Sequence, residues 1–330
     1  MKSPLLQTHG AVPADAPDQE IAAHYGEPSQ EQRALEAGTA FVDRSNRGVV
    51  RVSGPDRLKW LHSLLSQHLE RLAPGEATEA LLLSPKGHVE HHLHLVDDGE
   101  ATWAHVEVGT APDLVAFLDK MRFMLRVEVE DLSETHAVVT TPREAPAGTP
   151  VFPDVAGTAQ IVERDALPGL VDGLRPAGLW AYEALRIAAH RPRFGLDTDH
   201  RSIPHEMGWI EDAVHLQKGC YRGQETVARV HNLGRPPRRL VFLHLDGSAD
   251  RLPLHGDPVE IPGGKQVGFV GTAARHHELG PVALALVKRN VPVDVTLQAG
   301  GVAAAQEVVV SPETGSNAKI EFRRQAANRT

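Results

Sequence analysis

The sequence has a single cysteine, Cys220, among its 330 residues. An intrachain disulfide is therefore impossible, and nothing in the cysteine content indicates an oxidising compartment. A lone thiol also cannot by itself hold a four-cysteine zinc or iron–sulfur site. A cluster at Cys220 would need further ligands from a partner or from a small thiol.

Long apolar runs and a net positive charge are also lacking. The longest apolar stretches, such as residues 282–287, are too short to span a bilayer, and no apolar segment follows the polar N-terminus to indicate a signal peptide. The net charge is −9, whereas a general nucleic-acid surface needs a basic field. We predict a cytoplasmic protein that contacts no membrane and does not bind nucleic acid directly.

The remaining composition is that of a globular protein, with 41% hydrophobic and 23% charged residues and a length that suits two or three domains. Residues 1–28 are proline-rich and predict a mostly irregular lead-in, followed by an α+β region at 29–237. Short strands between Gly/Pro turns predict a β-barrel or sandwich domain at 238–330. Apolar spacing predicts helices at 30–37, 56–70, 112–120 and 177–190 and strands at 48–53, 80–83, 88–96, 102–108 and 127–132.

The segment around Cys220 is the richest candidate site. Gly219 and Gly223 flank it, and glycine permits positive φ and close approach of a ligand. Lys218 and Arg222 place positive charge near the thiol, which favours the reactive thiolate. The alternative is a buried, structural cysteine within a solvated loop.

Basic residues are concentrated in this same segment. Between positions 218 and 239 there are six basic residues and one acid, Glu225, in a chain of net charge −9. Such a patch suits a carboxylate, a phosphate or a short stretch of RNA. Beyond Tyr221, however, no aromatic platform for stacking bases accompanies it, which disfavours RNA.

A histidine-rich strand is the second candidate. Alternation along residues 88–96 places His88, Glu90, His92 and His94 on one face, where imidazole and carboxylate groups could ligate a transition metal. No second ligand cluster of recognisable spacing accompanies the strand. We therefore interpret it as a polar, solvated face and predict no metal site.

Carboxylates between residues 183 and 212 form the third candidate. One of them could act as a general acid or base, although solvated or helix-capping roles are the commoner ones. The sequence contains no His-Glu-x-x-His motif and no serine elbow, and its Gly-Gly pairs fit neither a phosphate loop nor a dinucleotide fingerprint. The carboxylates in question are Glu183, Asp197, Asp199, Glu206, Glu211 and Asp212.

The stretch Lys-Gly-Cys-Tyr-Arg-Gly-Gln-Glu at 218–225 resembles the signature of YgfZ-type folate-binding proteins, which belong to the superfamily of the glycine-cleavage T-protein, an aminomethyltransferase. The mitochondrial iron–sulfur assembly factor of the same group carries a similar stretch. Similar segments lie at 43–56, 60–66, 86–89, 203–206, 227–229 and 238–240. The resemblance thus covers roughly residues 30–325.

This resemblance implies three domains around a central channel that binds tetrahydrofolate. The first two domains would interleave within residues 29–237, and the third would be the C-terminal barrel. It implies Cys220 and Lys218 as the catalytic pair. The implied folate-binding residues are Lys218, Cys220, Tyr221, Arg222, Gln224, Arg229, Glu206 and Glu107.

Two departures bear on these roles. The family's Arg-x-Glu-x-Gly helix reads Arg186-Ile187-Ala188-Ala189-His190 here, so the usual pterin-contacting glutamate and the glycine are replaced. The catalytic aspartate of the T-protein has no clear equivalent, and Glu107 is the nearest acid.

The resemblance favours a tetrahydrofolate-binding accessory factor for iron–sulfur client proteins, including tRNA-modifying enzymes, that works through Cys220. The alternative is a folate-dependent aminomethyltransferase, in which an acid serves proton transfer at the folate nitrogen. A third possibility is a protein that only sequesters folate and does not need Cys220.

Overall fold

Two five-stranded sheets and a closed six-stranded barrel organise the computed structural model, which describes residues 2–315. The first sheet has the order Ala77–Leu83, Val89–Asp97, Ala101–Val106, Gly48–Ser53, Glu128–Asp131. The second has the order Val151–Asp154, Gly157–Glu163, His136–Thr141, Ala40–Asp43, Arg175–Ala177. The barrel has the order Arg238–Leu245, Gly280–Lys288, Lys265–His276, Pro258–Ile261, Leu297–Ala299, Val302–Val308. A two-stranded sheet pairs Val12–Pro13 with Ala22–His24.

Helices cover the sheets and connect them to the barrel. The helices Pro28–Glu36 and Ala111–Met121 both carry proline in the first turn, where the missing N–H costs no hydrogen bond. The α-helices are Pro28–Glu36, Arg57–Leu64, Ala111–Met121, Leu167–Val171, Leu179–Ala188, Pro204–Met207 and Gln224–Asn232, and Pro4–Gln7 and Arg164–Ala166 are 3₁₀ helices.

The predicted helix 56–70 is shorter than its apolar spacing suggested. It ends at Leu64, because Leu65 adopts an extended conformation. Leu65 and Leu69 are nevertheless fully buried in the core of the first sheet. The leucine spacing thus marked buried positions correctly, although the last of them lie outside the helix.

The chain path interleaves the two sheets. The strand Ala40–Asp43 enters the second sheet, residues 48–131 form the first sheet, and the chain then returns to the second. The barrel follows, beginning at Arg238. The predicted α+β class and the C-terminal barrel are confirmed, whereas the predicted domain division stays a prediction, and residues 316–330 lie outside the described part.

Sequence patterns missed several elements. The strands of residues 136–163 lie among Pro and Gly residues, and the helix Gln224–Asn232 buries only Val227. The lead-in, expected to be mostly irregular, forms a 3₁₀ helix and two short strands, and its Leu5 and Ile21 are buried. These first residues therefore belong to the folded core.

The family glycine replaced by His190 has a structural explanation. His190 follows the helix Leu179–Ala188 with a φ of 57°, in the left-handed region that favours glycine. Its amide donates to the Ile187 carbonyl at 2.9 Å, and its ring packs on Phe242 at 5.0 Å between centroids. The helix therefore ends at a residue in the left-handed conformation, and a histidine holds this strained position.

Candidate functional site

A cavity of about 380 Å³ lies between the two sheets and the helix Leu179–Ala188. Its volume falls in the range of roughly 300–1,000 Å³ that is usual for small-molecule sites. Five arginines and four carboxylates contribute to the wall, so the cavity is strongly charged and slightly cationic. These are Arg44, Arg47, Arg186, Arg191, Arg193 and Glu79, Glu107, Asp154, Glu183.

Arg193 is the hub of this charge network. Its guanidinium donates to both oxygens of Asp18 at 2.9 and 2.6 Å and to Glu107 at 2.7 Å. Its Nη1 lies 3.5 Å from Glu183, and its backbone amide donates to Asp197 at 2.7 Å. One buried side chain thus joins the lead-in, the end of the strand Ala101–Val106 and the helix Leu179–Ala188.

Glu107 is the carboxylate that the sequence placed at the family's acid position, and it does line the cavity. It accepts hydrogen bonds from Arg193 and, at 3.1 Å, from Arg47. Burial raises the pKa of Glu107, but the charges of Arg193 and Arg47 outweigh burial and hold this pKa below its usual range. Glu107 is therefore ionised at neutral pH and has no proton to donate.

Aromatic and imidazole rings complete the wall. Tyr182 donates to Asp154 at 3.1 Å, and the Arg44 guanidinium lies 4.3 Å from the centre of its ring. Phe194 and Trp209 also line the cavity, and Trp209 packs on His92 at 4.6 Å between centroids. Flat apolar faces next to cations suit a flat heteroaromatic ligand that carries negative charge.

The loop of Cys220 lies apart from the cavity wall. Cys220 is exposed, and its neighbour Lys218 is buried. The Lys218 ammonium donates to the carbonyl of His62 in the last turn of the helix Arg57–Leu64 and to those of Leu65 (2.5 Å) and Gln67 (2.9 Å) just after it. Burial lowers the pKa of Lys218 to about 8, which leaves the amine mostly charged at pH 7. Lys218 thus ties the Cys220 loop to the first sheet's helix.

The other predicted residues of the segment also form contacts within the protein. Tyr221 is buried in the core shared with the barrel, and the Gln224 amide donates to the Lys218 carbonyl at 3.3 Å. Arg222 pairs with Glu90 at 2.7 Å, and Arg229 pairs with Glu225 at 2.8 Å. Of the eight predicted site residues only Glu107 lines the cavity, so the binding roles of the others stay predictions.

The predicted basic patch is neutralised pair by pair. Arg238 pairs with Asp199 at 2.6 Å and with Glu206 at 2.8 Å, and Arg235 pairs with Glu313 at 3.2 Å. Arg239 is fully buried inside the barrel. Counting residues in the sequence cannot detect the carboxylates that pair with Arg222, Arg229, Arg235 and Arg238, and the anion-binding role of this patch stays a prediction. The unexpected cation cluster is the one inside the cavity.

Beside Glu206, His205 is buried, and neither of its ring nitrogens has a hydrogen-bond partner among the described residues. Burial lowers the pKa of His205 to about 4. In the unfolded state the pKa of His205 returns to about 6.5. Between about pH 6.5 and pH 4 the unfolded state therefore binds a proton at His205 and the folded state does not. Lowering the pH through this window should therefore reduce the free energy of unfolding, and His205 should account for about 2 kcal/mol of the loss at pH 5.

Urea unfolding at pH 7 and pH 5 tests this assignment. We expect the loss of unfolding free energy between the two pH values to be smaller in His205→Leu than in the wild type. The exposed histidine in His200→Gln serves as the control and should leave the profile unchanged. An identical pH dependence in His205→Leu would show that His205 does not titrate in this way.

The comparisons with known proteins agree with this architecture. Residues 3–141 match the family model of the GCVT N-terminal domain. The crystal structure of the glycine cleavage system aminomethyltransferase T from Bartonella henselae superimposes with a TM-score of 0.79 at 17% identity, covering 96% of this chain and 98% of that one. This likeness establishes the fold.

Curated relatives are similar at lower coverage. A chloroplastic protein of Arabidopsis thaliana, which is named as a transferase, is 25% identical over 75% of this chain and 66% of its own length. A mitochondrial iron–sulfur cluster assembly factor homolog of Mycosarcoma maydis is 28% identical over 64% of this chain and 59% of its own length. The aminomethyltransferase of Rubrobacter xylanophilus is 27% identical over 84% of both chains. These matches support a relationship to the T-protein superfamily.

The chain spans less than two thirds of the length of the first two of these relatives. Their names place them in chloroplast and mitochondrion, so the predicted cytoplasmic location stays a prediction. Within residues 2–315, none of the helices has the length and apolar character needed to cross a membrane.

Proposed function

We propose that this protein is a tetrahydrofolate-binding accessory factor of the YgfZ type, which serves the assembly or maintenance of iron–sulfur proteins and works through Cys220. The observation that carries the proposal is the cationic, aromatic-walled cavity between the sheets. Similarity to both an iron–sulfur assembly factor and aminomethyltransferases supports it. Client enzymes, including those that modify tRNA, are part of the proposal.

The cavity has the groups that a reduced folate would need. A folate carries a flat pterin ring with several hydrogen-bond donors and a glutamate tail with two carboxylates. Phe194 and Trp209 offer flat faces to the ring, and Glu183 offers a carboxylate on the wall of the cavity. Ala188 lacks the family's carboxylate, and Glu183, five residues earlier on the same helix, is the carboxylate of this helix that lines the cavity. Arg191, whose side chain is 38% exposed, is suited to hold a tail carboxylate.

Cys220 has the accessibility that a shared ligand or a redox thiol requires. It is exposed, whereas Lys218 and Tyr221 on either side of it are buried and hold the loop at two points. A thiol on a firmly anchored loop can meet a partner protein without a large ordering cost. We therefore assign the working thiol to the surface and the folate to the cavity.

Calorimetric titration with 5-formyltetrahydrofolate, a stable reduced folate, tests the ligand. We expect micromolar binding to the wild type and at least tenfold weaker binding, or about 1.4 kcal/mol, to Arg191→Gln. Arg122→Gln removes an arginine outside the cavity whose side chain is 43% exposed and pairs with Asp119, and this variant should bind like the wild type. Absence of binding to the wild type, or equal binding to all three proteins, would refute the cavity as the folate site.

The thiol is tested separately. Cys220→Ser should melt within about 1 °C of the wild type, because the side chain is exposed and makes no core contact. It should fail to restore iron–sulfur enzyme activity in cells that lack this protein. Cys220→Ser with full activity would remove the thiol from the proposal, and an unfolded Cys220→Ser would make its role structural.

An aminomethyltransferase remains the second candidate, favoured by the alignment with the Rubrobacter xylanophilus enzyme over 84% of both chains. Its weak point is Glu107, which two arginines hold ionised. Turnover of an aminomethyl donor with tetrahydrofolate that is lost in Glu107→Gln, at unchanged folate affinity, would establish this candidate.

A further inference from the structure

Three potential metal ligands meet at one side of the cavity. Glu79 lies on the strand Ala77–Leu83, and His92 and His94 lie on the neighbouring strand Val89–Asp97. Glu79 is the register partner of His94, and His92 stands opposite Leu81, two residues further along the same face. One ligand atom from each of the three side chains lies within 4.8 Å of the other two.

The sequence pattern had grouped different residues. A register shift in this strand pair leaves Glu90 opposite no single residue, and its carboxylate binds Arg222 instead. Glu79, which no sequence spacing links to the histidines, is the acid of the group instead of Glu90. The actual group is two imidazoles and one carboxylate, the set that leaves coordination positions open for other ligands.

We propose that Glu79, His92 and His94 bind one divalent first-row transition-metal ion, such as Fe²⁺ or Zn²⁺, at the cavity wall. All three residues line the cavity, so the open positions of the ion would face it. Rings also pack against both histidines: Trp209 lies on His92, and His105 stacks on His94 at 4.5 Å and 12°. His105 accepts in turn from Arg47 at 2.9 Å. These contacts limit the rotation of both imidazoles.

Arg191 would compete with the metal ion for the carboxylate of Glu79. Its guanidinium pairs with Glu79 and also with Asp212, and Glu79 lies 2.7 Å from the Nε2 of His92. A divalent ion would replace the guanidinium at Glu79, and Arg191 would keep Asp212 as its partner. Removing Arg191 should therefore strengthen metal binding, although the same change is expected to weaken folate binding.

Titration of the metal-stripped full chain with Co²⁺ tests the site, using calorimetry for stoichiometry and visible d–d absorption for coordination. We expect one equivalent bound, affinity reduced at least tenfold in Glu79→Gln and in His94→Asn, and affinity increased in Arg191→Gln. The His94 side chain is 25% exposed, so His94→Asn decides the question if Glu79→Gln does not fold.

Two other clusters among residues 2–315 provide matched controls. Glu36 with His276 and His277, and His62 with His68 and Glu70, have comparable ligand spacing outside the cavity. His277→Asn and His68→Asn should leave the single Co²⁺ equivalent unchanged. Co²⁺ binding that survives His94→Asn, disappears in a control variant or is absent from the wild type would overturn the proposal. The folate proposal is unaffected by each of these outcomes, because the metal titration contains no folate.

Discussion

Gly223→Ala should destabilise the protein by about 2–4 kcal/mol, whereas Gly219→Ala should change its stability by less than about 1 kcal/mol. Gly223 has a φ of 83°, and a Cβ there would lie 2.6 Å from the Ser84 carbonyl oxygen and 3.0 Å from the Leu83 Cβ. Both neighbours belong to the end of the edge strand Ala77–Leu83 and its hairpin, whose backbone is held by pairing with the strand Val89–Asp97 and cannot move cheaply. At Gly219 φ lies outside the left-handed region and no atom lies within 4 Å of an added Cβ.

Guanidinium unfolding of the two variants provides the measurement. The pair is matched, because the same methyl group is added on each side of Cys220-Tyr221-Arg222. Similar, small effects of both substitutions would show that the loop does not pack on the hairpin as described. Large effects of both would show that the environment of Gly219 is closed rather than open.

The two glycine variants also distinguish the anchoring of the Cys220 loop from the chemistry of its thiol. The sequence suggested that both glycines give a ligand room near Cys220, but the structure uses Gly223 for close packing of the loop against residues 83–87. If rigid anchoring of Cys220 matters for function, Gly223→Ala should impair iron–sulfur enzyme maintenance even at temperatures where the variant stays folded. Gly219→Ala should then retain it.

Local patterns predicted the fold better than they predicted the site. Alternation and leucine spacing located the strand Gly48–Ser53 and the buried Leu65 and Leu69, because burial periodicity is a property of neighbouring residues. The helix Gln224–Asn232 was not predicted because it is short, buries only Val227 and lies in a segment whose glycines indicated irregular structure.

The sequence did not predict the cavity for a different reason. Asp18 and Arg193 are 175 residues apart, and Arg47 is 60 residues from Glu107, so no motif spacing connects them. Of the residues that line it, the sequence singled out Glu107 through the resemblance, Glu183 among the carboxylates, and His92 and His94 on the histidine-rich strand, but nothing placed them in one site. A sequence signal for the other lining residues is the density of arginines at 186, 191 and 193, at the end of the helix Leu179–Ala188 and just after it.

The second large effect is expected at the hub of the cavity: Arg193→Met should cost about 3–5 kcal/mol of unfolding free energy. Arg193 is 8% exposed and is the guanidinium partner of Asp18, which otherwise receives a hydrogen bond from Asn46 at 2.5 Å. Its loss leaves a buried carboxylate without a cation. Burial raises the pKa of Asp18 even with Arg193 in place, and removing the arginine should raise this pKa further.

A double-mutant cycle with Asp18→Asn distinguishes ion pairing from simple packing. If the cost of Arg193→Met comes from the stranded carboxylate, Asp18→Asn should recover about 1–3 kcal/mol of it. Arg122→Met, at an exposed arginine with an exposed partner, should cost less than about 0.5 kcal/mol. Additive effects in the cycle would mean that the Arg193–Asp18 pair contributes little and that Arg193 stabilises the protein through its other contacts, which include Glu107. Glu107 keeps Arg47 in every variant, so the cycle reports on the contact that ties the first residues of the chain to the wall of the cavity.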